Sequence, residues 1–187
     1  MKEYSHKSYK YSNFFEHYFK HDLRNPVGNT PEQILIKYKP LLPTYVNTVV
    51  NFGCSNGRDF IPFQENYKCI GFDLAPLAYI EWVCATDNLT YNQCSIEDYL
   101  ENFDHSTLDL TTALVYTQGT LMYVPSDTQD KFIQHLLDQG CRNMIFHEYP
   151  PEYTGPHTKF NPSPRYLNLF EQTFFRPSLT GFVHLDR

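Results

Sequence analysis

The five cysteines (Cys54, Cys69, Cys84, Cys94, Cys141) contain no C-x-x-C pair, and their odd number leaves one over in any disulfide scheme. This excludes a disulfide scaffold and a zinc ribbon. It predicts free thiols, buried as small apolar groups, in a reducing and therefore cytoplasmic setting. No apolar run approaches the length of about 20 residues that a membrane span needs. Met1-Lys2-Glu3-Tyr4 leads into polar sequence, so neither a signal peptide nor a membrane partner is expected. Positive charge is also in deficit: 15 Lys and Arg stand against 21 Asp and Glu, a net charge of −6. Nucleic-acid binding usually needs a cationic face. Seven of the fifteen cations lie in the first 39 residues, but scattered among tyrosines and acids. The balance points to a small molecule or a protein as partner and makes nucleic acid unlikely. No internal repeat or long linker divides the chain, and nothing in the sequence specifies an oligomeric state.

What is present is aromatic and apolar. Phe, Tyr and Trp make up 17% of the 187 residues and the hydrophobic set 41%, enough for one domain over 1–187 with a substantial core. Three stretches differ in character: an aromatic, helical segment over 1–44, an α/β core over 45–149, and a Pro- and aromatic-rich segment over 150–187. In the first, Tyr11, Phe14, Phe15, Tyr18 and Phe19 recur at helical spacing. They form either a helix packed on the core or a lid over a binding site, with Tyr11, Phe14 and Tyr18 touching substrate.

From residue 30 the period of the pattern assigns elements. Thr30, Pro31 and Gln33 form a T-x-x-Q helix start with proline at its first position, followed by an Ile34, Leu35, Tyr38, Leu41 stripe that Pro40 and Pro43 end. Strands are predicted over 46–52, 68–73, 89–94, 108–116 and 143–149. Helices are predicted over 57–66, 76–85, from Ser95-x-x-Asp98, and from Ser126-x-x-Gln129 to Gly140, a C-terminal cap. Leu167–Phe174 and Phe182–Leu185 suit late elements. Strands alternating with helices predict an α/β fold. This is a Rossmann-like, doubly wound, mostly parallel sheet of six or seven strands in a three-layer α/β/α sandwich.

One stretch, NFGCSNGRDF at 51–60, admits two readings. Gly53-Cys54-Ser55-Asn56-Gly57 is formally G-x-S-x-G, the elbow of a serine hydrolase. That elbow follows several strands, whereas one strand precedes Ser55, and no spacing selects Asp73, Asp109, His135 or His147 as triad partners. The same residues are also a glycine turn after a strand, which lets a cofactor approach the backbone closely. This second reading expects an acid at the end of the next strand to accept from ribose hydroxyls. Asp73 stands there in IGFDLAP, 20 residues after Gly53. Alone, Asp73 reads equally as a helix N-cap. The dinucleotide fingerprint G-x-G-x-x-G is absent.

VVNFGCSNGRDF, CIGFDLAP, QCSIEDYL and LDLTTALVYTQGTLMYV, in that order through about residues 45–149, resemble the class I S-adenosylmethionine-dependent methyltransferases. The resemblance implies S-adenosyl-L-methionine as cofactor. Gly53, Cys54, Ser55 and Gly57 would form the turn around its methionine part, and Asp73 would hold the ribose with Leu74 beside the adenine. Ser95, Ile96 and Glu97 would line the adenine edge, and Gln118 and Tyr116 would lie near the transferable methyl group. Asn51 stands where the family usually has an acid that helps hold the cofactor's amino group, and Ser55 replaces a middle glycine. Methyl transfer needs alignment and exclusion of water more than a loud motif. His147 is a candidate base, Tyr123 stands where many relatives carry histidine, and Glu148 could touch substrate. His147 also reads as a hydrogen-bonded structural histidine, and Tyr116 as a core residue. The expected function is methyl transfer to oxygen or nitrogen of a small-molecule acceptor, without a metal. Two alternatives stand beside it: cofactor binding without turnover, and methylation of protein or nucleic acid.

Overall fold

Five short strands lie side by side and parallel, as the strand-helix alternation predicts. The computed structural model describes residues 31–55, 57–74, 87–148 and 179–184, with 31–34 and 179–184 described by backbone alone. Within it the elements are α1 (Pro31–Tyr38), β1 (Thr48–Phe52), β2 (Lys68–Asp73), β3 (Leu89–Gln93) and α2 (Ile96–Asn102). They continue with β4 (Ala113–Gln118), α3 (Ser126–Asp138), β5 (Asn143–Glu148) and β6 (Leu179–His184). The six strands form one sheet in the order β3-β2-β1-β4-β5-β6. All neighbours are parallel except β6, which runs antiparallel to β5. No seventh strand occurs among the described residues. The predicted helix at 76–85 and the aromatic residues Tyr11, Phe14 and Tyr18 lie outside them. So do Thr30, Cys84 and Leu167–Phe174.

Strand alternation sends side chains to two cores. Val50, Phe52, Ile70, Phe72, Val115 and Phe146 pack against Ile96 and Tyr99 of α2 and Phe132, Ile133 and Leu136 of α3. Phe52 and Phe72 stack at 4.7 Å, and Tyr99 and Phe132 each meet Phe52 edge-on. On the other face Val49, Cys69, Leu114, Tyr116 and Ile145 meet Leu35 and Tyr38 of α1 and Phe60 and Phe63. The four described cysteines are free thiols, three of them buried. Among the described residues no helix is long and apolar enough to cross a membrane.

Four expectations change. Residues 57–66 are not an α-helix but a 3-10 turn, Arg58–Phe60, followed by further turns. Pro62 has no N–H to give, and the chain closes short bonds instead, such as Ile61 N–H to Arg58 C=O at 3.1 Å. The strand expected at 108–116 starts at Ala113, because Asp109 accepts from the Thr111 amide (2.9 Å) and hydroxyl and turns the chain there. Ser126 is the first residue of α3 and not its cap. Pro125 is the N-cap, and the buried Gln129 amide donates to Leu121 C=O and Val124 C=O at 3.0 and 2.8 Å. Leu41 leaves the stripe and is 60% exposed. Gly140 does end α3: at φ 74° its amide reaches Leu137 C=O while the Cys141 amide reaches Leu136 C=O, both at 2.9 Å.

The strand order reverses between β1 and β4, where open parallel sheets leave a crevice at their carboxyl ends. Gly53 follows β1 there, at φ 77°. A Cβ on it would lie 2.0 Å from the Thr120 hydroxyl oxygen that follows β4. Gly53→Ala should therefore cost at least about 1–3 kcal/mol in urea denaturation, from backbone strain alone. Unchanged stability would show that the contact between the two loops is not required.

Candidate functional site

The turn after β1 is held by the strand beside it. The Gly53 and Cys54 amides both donate to Phe72 C=O, at 2.7 and 3.4 Å. The Ser55 amide donates to Asp73 Oδ2 at 2.7 Å, and Ser55 sits at φ 52° to do so. A left-handed serine is unusual, and the charged acceptor offsets its strain. Gly57, at φ 80°, closes the turn with its amide on Cys54 C=O (2.8 Å). Cys54 itself points into the core, over Gly71, where a Cβ would come 2.7 Å from its sulfur. So the Cys54 thiol is core, and only its backbone belongs to the turn.

Asp73 thus anchors the turn through its carboxylate, while its backbone carbonyl accepts from the Tyr91 hydroxyl at 3.1 Å. Leu74 follows, half-buried, with its carbonyl accepting from Gln93. Ser95 caps α2 by accepting from the Asp98 amide at 3.0 Å. Ile96 is 6% exposed and packs in the α2/α3 core, so its side chain serves that core; Glu97 is half-buried.

Asn51, Asp73, Gln118 and His147 share the α1 face by strand alternation, near the carboxyl ends of β1, β2, β4 and β5. Asn51 is fully buried and its Nδ2 donates to Asp59 Oδ2 at 3.0 Å. Its Oδ1 is buried without a hydrogen-bond partner. Asp59, buried on the 3-10 turn, was assigned no role from the sequence. The signal that could have found it is an acid eight residues after an amide at a strand's carboxyl end.

Tyr116, expected near the methyl group, is fully buried in the α1-side core. Its hydroxyl donates to Gln118 Oε1. Burial, with the nearby Asp59 and Glu148 carboxyls, pushes its pKa up, so it keeps its proton. Tyr116 is a core residue that orients Gln118, not a group open to an acceptor. Tyr123 ends the 3-10 turn Leu121–Tyr123, half-buried.

Glu148 is also not where a substrate would meet it. Alternation turns it to the α2/α3 face, 5% exposed. Its two oxygens accept from the Thr120 and Leu121 amides at 3.3 and 3.1 Å, pinning the loop after β4. The Thr120 hydroxyl in turn lies 3.2 Å from Phe52 C=O and 3.1 Å from Gln118 C=O. Thr120 is a second residue the sequence did not single out. His147 is half-buried, and burial lowers its pKa from the ordinary 6.5, leaving a neutral imidazole at neutral pH.

The fold has solved counterparts. No family model matches the sequence, and no curated protein matches it. Phosphoethanolamine N-methyltransferase 1 of Haemonchus contortus, in complex with phosphoethanolamine and S-adenosylhomocysteine, superposes with a TM-score of 0.65 at 16% identity. The match covers 91% of this chain and 41% of that one. Magnesium protoporphyrin IX methyltransferase of Synechocystis, with bound S-adenosylmethionine, gives 0.57 at 12% identity, covering 81% and 80%. A small RNA methyltransferase gives 0.58 at 17%, covering 80% and 23%. The likeness at these identities is one of fold. The chain has the fold of S-adenosylmethionine-dependent methyltransferases and spans less than half of the first of these relatives.

Burial pushes the Glu148 pKa up to about 7 from 4.5. The folded protein keeps this proton where the unfolded chain has released it. The stability it contributes is therefore full below about pH 4.5 and lost as pH rises to about 7, a change of about 3 kcal/mol. Glu148→Gln should flatten that slope in urea titrations at pH 5 and pH 8. An equal slope in the variant would place the proton elsewhere.

Proposed function

We propose that this chain is an S-adenosylmethionine-dependent methyltransferase acting on oxygen or nitrogen of a small-molecule acceptor. The observation that carries the reading is the turn at the β1/β4 crevice, built on left-handed backbone and locked to the acid of β2. The residues fit the cofactor. Asn51 leaves a buried acceptor oxygen facing no donor, and the turn beside it runs through left-handed backbone at Gly53, Ser55 and Gly57. When bound, the cofactor would supply an electrophilic methyl on a sulfonium, which the acceptor takes as the carbon–sulfur bond breaks and the thioether leaves, with no metal needed.

The chain's own residues supply position and a proton sink. The turn at Gly53, Cys54, Ser55 and Gly57 would hold the methionine part, Asp73 the ribose, and Leu74, Ser95, Ile96 and Glu97 the adenine side. His147 would take the acceptor's proton. It is neutral at neutral pH and stands half-buried at the carboxyl end of β5. Tyr11, Phe14 and Tyr18 would close the site as a lid. The net charge of −6 favours a small acceptor over nucleic acid. The same proposal includes the finer architecture: one domain over 1–187, a three-layer α/β/α sandwich completed by a helix over 76–85, and a cytoplasmic setting. A second reading, cofactor binding without turnover, draws on Tyr116, which core burial removes from the acceptor's reach.

Titration calorimetry with S-adenosylmethionine and S-adenosylhomocysteine tests the first step, and no binding of either sinks the proposal. Binding without labelled methyl transfer to an amine and alcohol panel selects the second reading. Asp73→Ala should weaken cofactor binding by roughly 1–3 kcal/mol, as a charged partner is lost. An unchanged affinity in the folded variant would reduce Asp73 to a structural anchor. With an acceptor in hand, kcat should rise with pH through a pKa below 6.5 and then level. His147→Gln should lower kcat by about 100-fold or more and remove that limb. A limb that survives in the variant would assign the proton transfer to another group.

A further inference from the structure

We propose that Asp59 and Asn51 together form the subsite for the α-ammonium of the cofactor's amino-acid part, with Asp59 supplying the negative charge that residue 51 lacks. The assignment rests on the methyltransferase reading above. An amide at the end of β1 can accept a hydrogen bond but cannot attract a cation by charge. The structure brings a carboxylate to it from eight residues further along the chain. Asn51 Nδ2 donates to Asp59 Oδ2 at 3.0 Å, with Asn51 fully buried and Asp59 7% exposed.

That bond also fixes which way the amide faces. A carboxylate only accepts, so the NH2 end of Asn51 must meet Asp59 and the carbonyl end must face away. Asn51 Oδ1 is left buried with no donor. Such an acceptor is costly to leave unsatisfied, and a ligand donor removes the cost. The free acceptor and the buried charge lie on the same residue pair, beside the turn. A primary ammonium carries three N–H donors and no acceptor, so it can serve both. Low exposure strengthens the attraction of the charge for a cation.

The local chain explains how Asp59 reaches this place. Gly57 turns left-handed, Arg58–Phe60 winds as a 3-10 turn, and Phe60 is fully buried in the α1-side core. With Phe60 anchored, its neighbour is held at the floor of the crevice. The Asp59 carboxyl also adds to the burial that keeps the Tyr116 hydroxyl protonated. Its field therefore reaches the carboxyl half of β4, which ends at Gln118.

Calorimetry on the full chain with two probes tests the assignment. S-adenosylhomocysteine carries the ammonium, whereas 5′-methylthioadenosine has the thioether nucleoside without the amino acid. Asp59→Asn should weaken S-adenosylhomocysteine about 10- to 100-fold and leave 5′-methylthioadenosine unchanged. The double variant Asn51→Asp with Asp59→Asn, which moves the charge to the strand, should restore S-adenosylhomocysteine binding. Equal weakening of both probes, or of neither, overturns the subsite while leaving the function standing. Wild type that binds neither probe overturns both. Should Asp59→Asn not fold, wild type is titrated with the desamino analogue of S-adenosylhomocysteine. The subsite requires a loss of at least about tenfold, and equal affinity refutes it.

Discussion

The hydrogen bond from the Ser55 amide to Asp73 is the constraint on which the carboxyl edge of the sheet depends. It is 2.7 Å long and ends on a carboxylate, so it belongs to the stronger class. Ser55 holds a left-handed φ of 52° to make it. With the Gly53 and Cys54 amides on Phe72 C=O, it fastens the exit of β1 to the exit of β2. Cys54 can then drop into the core over Gly71, where no side chain stands in its way. Gly53, having no side chain, leaves room for Thr120 from the loop after β4. Strand order places this junction at the reversal point, but the bond gives it a shape.

Two carboxylates near that junction do different work because their surroundings differ. Asp73 accepts from the turn on the α1 face. Glu148, one residue past His147, turns to the other face and spends its oxygens on the loop after β4. Burial outweighs those amides and raises its pKa to about 7. A one-residue step along a strand thus separates His147, on the face with Asn51 and Asp73, from a buried anchor. The Thr120 side chain, lying between the Phe52 and Gln118 carbonyls, carries that anchor's effect back to β1.

Much of this architecture could be read from residue patterns. β-branched and apolar runs at 46–52, 68–73 and 143–149, and the more polar stretch at 89–94, mark strands that fall within a residue or two of those bounds. Gly140 announced the end of α3 because few other residues take that φ cheaply. Elements failed to be legible where a side chain competed with the backbone. Asp109 looked like a polar position in a strand, yet its carboxylate folds the chain before the strand begins. Gln129 looked like a residue of the helix start alone, yet it is buried and its amide feeds two carbonyls of the preceding turn. Both are decided by contacts that spacing alone does not encode. For a related reason the core reading of Tyr116 is the one the structure takes, and Glu148 lies away from the face where a substrate was expected. Position at a strand's end brings a residue near the crevice, while alternation and packing decide whether its polar atoms open into it.

Asn51 shows why a motif letter is an incomplete guide to charge. Read along the chain, an amide in an acid's place suggests a weakened cofactor site. An α-helix over 57–66 would have made Asp59 an ordinary first-turn acid, serving its own helix end. The helix does not form, because Pro62 withholds a donor and Phe60 is drawn into the core. The 3-10 turn then delivers Asp59 to Asn51 at 3.0 Å. What a ligand meets is the field of the pair, which is set by distance and burial and not by which residue bears the charge. Conversely, the same placement makes position 51 sensitive: a second acid there, with Asp59 kept, would put two carboxylates in contact and raise the pKa of one of them.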